Sequence, residues 1–161
     1  MGGRDNKKNC RSYTEGSVIV LDTEIKKENE KKKEYLYRYI AATKQLKRYE
    51  DDLKEIRNSR LSPPAISNTG LPKGSNQTDL SDYAVKLDKA INKVLKQKYR
   101  RIKIRMKIRD KIERMESEKE KELLTYKYIN NMDWNSICLK MGYSWQHVHR
   151  IHASALKNFK M

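Results

Sequence analysis

Residues 62–77, SPPAISNTGLPKGSNQ, hold all three prolines of this 161-residue chain, Pro63, Pro64 and Pro72, together with Gly70 and Gly74. Proline lacks the N–H that a helix needs and clashes with the preceding turn, and it pushes the residue before it out of the helical region. No helix is expected to cross this stretch. On both sides the chain is free of proline, and its apolar residues recur at helical spacing. The pattern therefore predicts helices before and after one central break, a linker over 61–78.

Before the break, Tyr39, Ala42, Leu46, Tyr49, Leu53 and Ile56 alternate steps of three and four. That is a heptad seam. Asp22 or Thr23 could cap it, and a long helix is expected over 17–60. Residues 1–16, rich in Gly, Lys and Asn, read as a disordered tail. After the break, Leu80, Leu87, Ile91 and Val94 give a similar stripe, with Tyr83 or Ala84 filling the gap, and predict a basic helix over 79–115. Inside it, Ile102, Ile104, Met106 and Ile108 alternate with period two, which alone would mean a strand. Helix is preferred because no turn residues bound that window. Two patterns of roughly 37 residues would each span about 55 Å. Matched lengths suggest an antiparallel hairpin or, alternatively, pairing across a homodimer. A seam this narrow needs a partner in either case.

Beyond 115 the signals become denser. Ser117 and Glu120 have the spacing of a capping box, opening a helix with Leu123, Leu124, Tyr128 and Ile129 apolar. NNMD at 130–133 ends it. Asp133 can cap the next helix, whose apolar face is Trp134, Ile137, Cys138 and Met141. Gly142 suits a left-handed helix end. Ser144 can cap a last helix with Val148, Ile151, Ala155, Leu156 and Phe159 on one face. Three helices with a three-residue turn between the last two outline a helix-turn-helix domain over 117–161. The expected fold class is all-α: a long helical hairpin or coiled-coil region followed by a three-helix helix-turn-helix domain.

Residues 124–159, LTYKYINNMDWNSICLKMGYSWQHVHRIHASALKNF, resemble region four of bacterial sigma factors. The shared frame is Leu124, Tyr128, the cap Asp133, Ile137, Met141-Gly142, Ser144, Val148, Ile151, Ala155-Leu156 and Phe159. The chain as a whole is similar to a family of small phage and prophage regulators, RinA-like or ArpU-like. The resemblance implies a sequence-specific transcriptional regulator that binds double-stranded DNA in a bacterial cytoplasm, with RNA polymerase as a further partner. It also implies base reading by Trp145, Gln146, His147 and Arg150, with Ser144, His149 and Lys157 toward the DNA backbone. Sigma factors usually carry a basic residue where this chain has Trp145. No counterpart of sigma region two is present, so a complete sigma factor is not expected.

The residue types suit that task. Gln pairs with adenine N6 and N7, and Arg grips guanine O6 and N7 with two bonds. Neutral His donates to a base or a phosphate. The Trp145 indole could meet a thymine methyl or pack sideways on the domain. All three histidines of the chain, His147, His149 and His152, fall in this helix. His149 and His152 could share a face, but His147 lies about 200° from His149 at about 100° per residue. No cysteine or carboxylate of the helix completes a metal site, so no metal or other cofactor is expected. Histidines with no specific task are the plain alternative. Trp134, Cys138 and Phe159 read as core.

The formal charge of +16 makes a polyanion the default partner. Residues 93–115 concentrate it, with a local charge of +9. Arg100, Arg101, Lys103, Arg105 and Lys107 are candidate phosphate contacts. A solvated face, with Lys and Arg stems covering the seam, is the competing reading. An anionic membrane surface suits the segment less, because Tyr99 is its only bulky aromatic. No run approaches the roughly 18 apolar residues of a membrane span, and no apolar stretch follows the charged start to make a secretory signal. Cys10 and Cys138 match no metal or disulfide spacing, so a reduced cytoplasm is expected. Walker glycines and G-x-S-x-G are absent, and acids sit in helical charge runs such as Glu28 to Glu34, so no enzyme is expected. Tyr35, Tyr37 and Tyr39 read as seam and flank residues, or as an aromatic surface for another protein. A DNA-packaging protein of the small-terminase kind, or a scaffold, are the alternative functions.

Overall fold

The computed structural model describes the backbone of residues 12–59 and 77–161, with side chains over 23–59 and 80–161. The elements are α1 (Ser12–Ser59), α2 (Gln77–Glu113), α3 (Glu118–Leu124), a π-helical turn (Thr125–Ile129), α4 (Trp134–Met141) and α5 (Trp145–Asn158). The fold is all-α, with no strand among the described residues. No helix there is long and apolar enough to cross a membrane. The expected linker over 61–78 falls almost wholly outside the described residues, as do Cys10 and most of the expected tail.

At 48 residues, α1 is longer than α2 at 37, so the matched lengths read from the sequence do not hold. Residues 12–16, assigned to the tail, are helical. Their one helix-weakening residue is Gly16, which costs about 1 kcal/mol and without proline does not stop a helix. Through the window of alternating isoleucines α2 runs unbroken.

The chain divides into two compact units. One is Arg38–Asp110, the second part of α1 with most of α2. Here the two helices run antiparallel within one chain. Lys98 Nζ lies 3.4 Å from a Glu50 carboxylate oxygen, and Tyr49 and Ile56 line a small groove with Lys86, Ala90 and Lys93. Ile40, Ala42 and Leu46 from α1, and Ala90, Val94 and Ile108 from α2, are buried. Tyr39, Tyr49, Leu53 and Ile56 are half-buried along the same heptad seam. The partner that the seam requires is thus the other helix of the same chain. Leu80, expected in the stripe, is exposed, and Tyr83 rather than Ala84 is partly covered.

The other unit takes α1 up to Tyr37 and everything from Lys111 onward. Its core is Leu36, Ile112, Met115, Leu123, Leu124, Tyr128, Ile137, Val148, Ala155, Leu156 and Phe159. The Tyr35 ring lies 6.1 Å from Phe159, and Tyr37 meets Tyr128 edge-on at 5.0 Å. These two tyrosines therefore tie the first helix to the helix-turn-helix bundle. Lys32 is buried, and its Nζ donates to the Lys157 carbonyl at 3.3 Å while pairing with Glu28 at 2.9 Å.

Ser117 does precede α3, but the capping box does not form, since its side chain makes no cap hydrogen bond. Glu120 points away from its own helix end. Its buried carboxylate accepts from Ser154 Oγ at 2.6 Å and from Asn158 Nδ2 at 3.1 and 3.0 Å. A buried carboxylate must find donors. The two on α5 satisfy it, and bind α3 to α5.

Candidate nucleic-acid interface

Local chemistry sets the last two helices. Asp133 accepts from the Ser136 amide at 3.0 Å and the Ser136 hydroxyl at 2.6 Å, which starts α4 and holds the Asp133 carboxyl below its ordinary pKa. Gly142 ends α4 in the left-handed region at φ 69°. A side chain there would be strained, which is why glycine occupies the turn. Ser144 Oγ accepts from the His147 amide at 3.4 Å and starts α5. Before α4, the π-turn bonds the Asn130 amide to the Thr125 carbonyl, and Asn131 turns the chain at φ 52°.

Val148, Ala155 and Leu156 are buried beneath α5, while Gln146, Arg150 and Ala153 are exposed. Gln146 and Arg150 are four residues apart, hence neighbours on one face. Ala153, three further on, adds no bulk to that face. No acidic residue stands in the first turn of α5, so nothing offsets its positive N-terminal end. Ser144 is exposed, and so is Lys157, in the last turn of the helix. A helix in a capped, glycine-turned pair, offering an amide and a guanidinium side by side, is suited to reading base edges in a major groove.

The histidines have three different surroundings. His147 is half-buried, its ring edge-on to Tyr143 at 4.7 Å. His149 lies between two indoles, 4.4 Å from Trp134 and 4.4 Å from Trp145. Its Nε2 is buried without a hydrogen-bond partner. The expected outward place near a phosphate is therefore not where this ring sits. A helical wheel puts His149 outside because it ignores Trp134, which leans over from α4. His152 is buried, and its Nε2 shares a 2.9 Å hydrogen bond with the Tyr128 hydroxyl. Burial, with Lys33, His149 and Lys127 adding to it, pushes the His152 pKa down to about 4, so the ring is neutral near pH 7. Burial likewise raises Tyr128, which keeps its proton.

Trp145 packs sideways, against His149 and edge-on to Trp134 at 6.4 Å, yet half of it stays exposed. Lys127 Nζ caps the stack 4.5 Å above Trp134. Phe159 is core as expected, whereas Trp134 and Cys138 are only half-buried. Two further lysines rest on aromatic faces, Lys119 on Tyr143 and Lys140 on Tyr126. Both add positive charge around the motif. Sequence reasoning missed them because each meets its ring through folding, not through helical spacing.

The other expected phosphate contacts lie in the Arg38–Asp110 unit, on α2. Arg100, Lys103, Arg105 and Lys107 are exposed there, while Arg101 is half-buried toward the seam side.

No curated protein and no solved structure matches the chain. Residues 60–160 match the sequence profile of a family described as protein of unknown function, DUF1492. The match covers well over half of the chain, which therefore belongs to that family.

Proposed function

We propose that this member of the DUF1492 family is a sequence-specific double-stranded DNA-binding regulator that reads the major groove with α5. The exposed pair Gln146 and Arg150, on a helix anchored by Ser144 and Gly142, carries the reading. Trp145 borders the pair and has enough open surface to meet a thymine methyl. His147, held by Tyr143, takes an edge position. His149 has a different part, stacking between Trp134 and Trp145 to set the angle of the reading helix. Ser144, Lys157, Lys119 and Lys140 face the phosphates. The +16 charge, including Arg100, Lys103, Arg105 and Lys107, supplies general attraction to DNA. The likeness of residues 124–159 to sigma region four supports transcriptional control as the purpose.

The test is selection of bound genomic fragments by the full chain beside a Gln146→Ala/Arg150→Ala double variant, at one salt concentration. The wild type should enrich one short motif. The double variant should lose about 2–6 kcal/mol at that motif while keeping weak general binding. A flat, salt-sensitive profile shared by both proteins would sink the proposal and favour packaging or scaffolding. A large ring in solution would favour packaging specifically.

A further inference from the structure

One line of large apolar side chains on α2 has no partner among the described residues. Leu95, Tyr99, Ile102 and Met106 are 57, 68, 49 and 60% exposed. Their spacing of four, three and four is that of a heptad seam, and at about 1.5 Å per residue it runs about 17 Å along the helix. At about 100° per residue it lies on the side opposite Ile104 and Ile108, which with Val94 face the α1 seam. Toward the start of α2 the line ends in polar residues, since Asp88 and Asn92 occupy its next positions and bond to each other at 3.0 Å. Both borders are basic. Lys98 and Arg105 flank one side, Lys96 and Lys103 the other, and all four are exposed.

We propose that this outer face of α2 docks an acidic amphipathic helix of another protein. A coiled-coil seam is the geometry that a single three-four line fits, with the flanking charges choosing the partner. A second copy of this chain is the wrong occupant. Parallel or antiparallel, pairing the face with itself would set lysine and arginine against lysine and arginine, and like charges oppose such pairing. An anionic membrane also fits poorly. A helix lying in a lipid surface presents a broad apolar face, whereas this line is one residue wide between charges. DNA would use the cations and leave the apolar line bare. A helix with leucine-like residues on one line and Asp or Glu on both flanks satisfies the line and both borders together. The inference does not depend on α5 reading DNA.

The probe is a synthetic amphipathic peptide with leucine on its apolar line and glutamate on both flanks. A control peptide carries lysine on the flanks. Binding to the full chain is followed by fluorescence anisotropy at two salt concentrations. The acidic peptide should bind, more weakly at high salt, and the lysine peptide should not. Leu95→Gln/Ile102→Gln/Met106→Gln should weaken binding by about a hundredfold or more, since three buried aliphatic contacts are lost. Because these residues lie outside the core, helical content should not change. Lys96→Gln/Lys103→Gln should reduce affinity and flatten the salt dependence. Acidic-peptide binding that is absent, or equal in the triple variant, overturns the proposal. So does a triple variant that instead loses self-association, binding to phosphatidylserine vesicles, or binding to DNA.

Discussion

The two units of this chain hold themselves together differently. In Arg38–Asp110, apolar residues at heptad spacing meet along one seam, and charge stays outside, as in the half-exposed pair Lys98 and Glu50. In the unit that contains α3, α4 and α5, polar groups are inside. Glu120 is buried on Ser154 and Asn158, His152 on Tyr128, and Lys32 on the Lys157 carbonyl. The difference teaches where charge is free to act. In the hairpin unit it lies at the surface, outside the apolar seam. In the bundle much of the polar chemistry is committed to fixing the angle at which α5 is presented.

Several measurements would break or sharpen this contrast. Phe159→Ala removes a fully buried ring under the bundle and should cost about 3–5 kcal/mol, read as a lowered denaturation midpoint for the helix-turn-helix unit. A shift below 1 kcal/mol would mean that the aromatic core is not what holds α5.

Next in size is the pH dependence of His152. Its folded pKa of about 4 lies below the ordinary 6.5, so the neutral ring is the form that the fold prefers. The resulting stability is fully present above pH 6.5 and is lost as pH falls toward 4. At about 1.4 kcal/mol per unit this is about 3 kcal/mol. Urea melts across that window should show the loss, and His152→Gln should flatten it. An unchanged slope in the variant would remove His152 from the account.

Glu120→Ala should cost about 1–3 kcal/mol by stranding the Ser154 and Asn158 donors. In a double-mutant cycle with Ser154→Ala the two changes should be coupled by more than about 0.5 kcal/mol. Additive effects would return Glu120 to its own helix end. At the small end, Glu50→Gln should change stability by at most about 1 kcal/mol, the range of exposed ion pairs. A larger loss would show that surface charge holds the hairpin unit after all.

Much of this was legible in the residues. Heptad spacing found the seam at Ala42, Leu46 and Val94. Asp133, Gly142 and Ser144 marked the two helices of the motif because capping and left-handed turns are local requirements. The start of α1 at Ser12 was missed because one glycine is a weak stop. The packing of Tyr35 and Tyr37 on the bundle was missed because they are far in sequence from Phe159 and Tyr128. Of the candidate reading residues, Gln146 and Arg150 are exposed. His149 is not, since a wheel sees only its own helix.

By itself, then, the sequence determined what depends on neighbours within a few residues: helical class, the caps at Asp133 and Ser144, the turn at Gly142, and which stripes are apolar. Tertiary structure alone decided which polar side chains are spent on folding and which stay at the surface. Glu120 turned from a cap to a cross-helix bond, and His149 from an outward contact to a place between two indoles. The physical reason is that a buried polar group takes the best partner that folding brings within reach, and that partner is set by the meeting of distant segments.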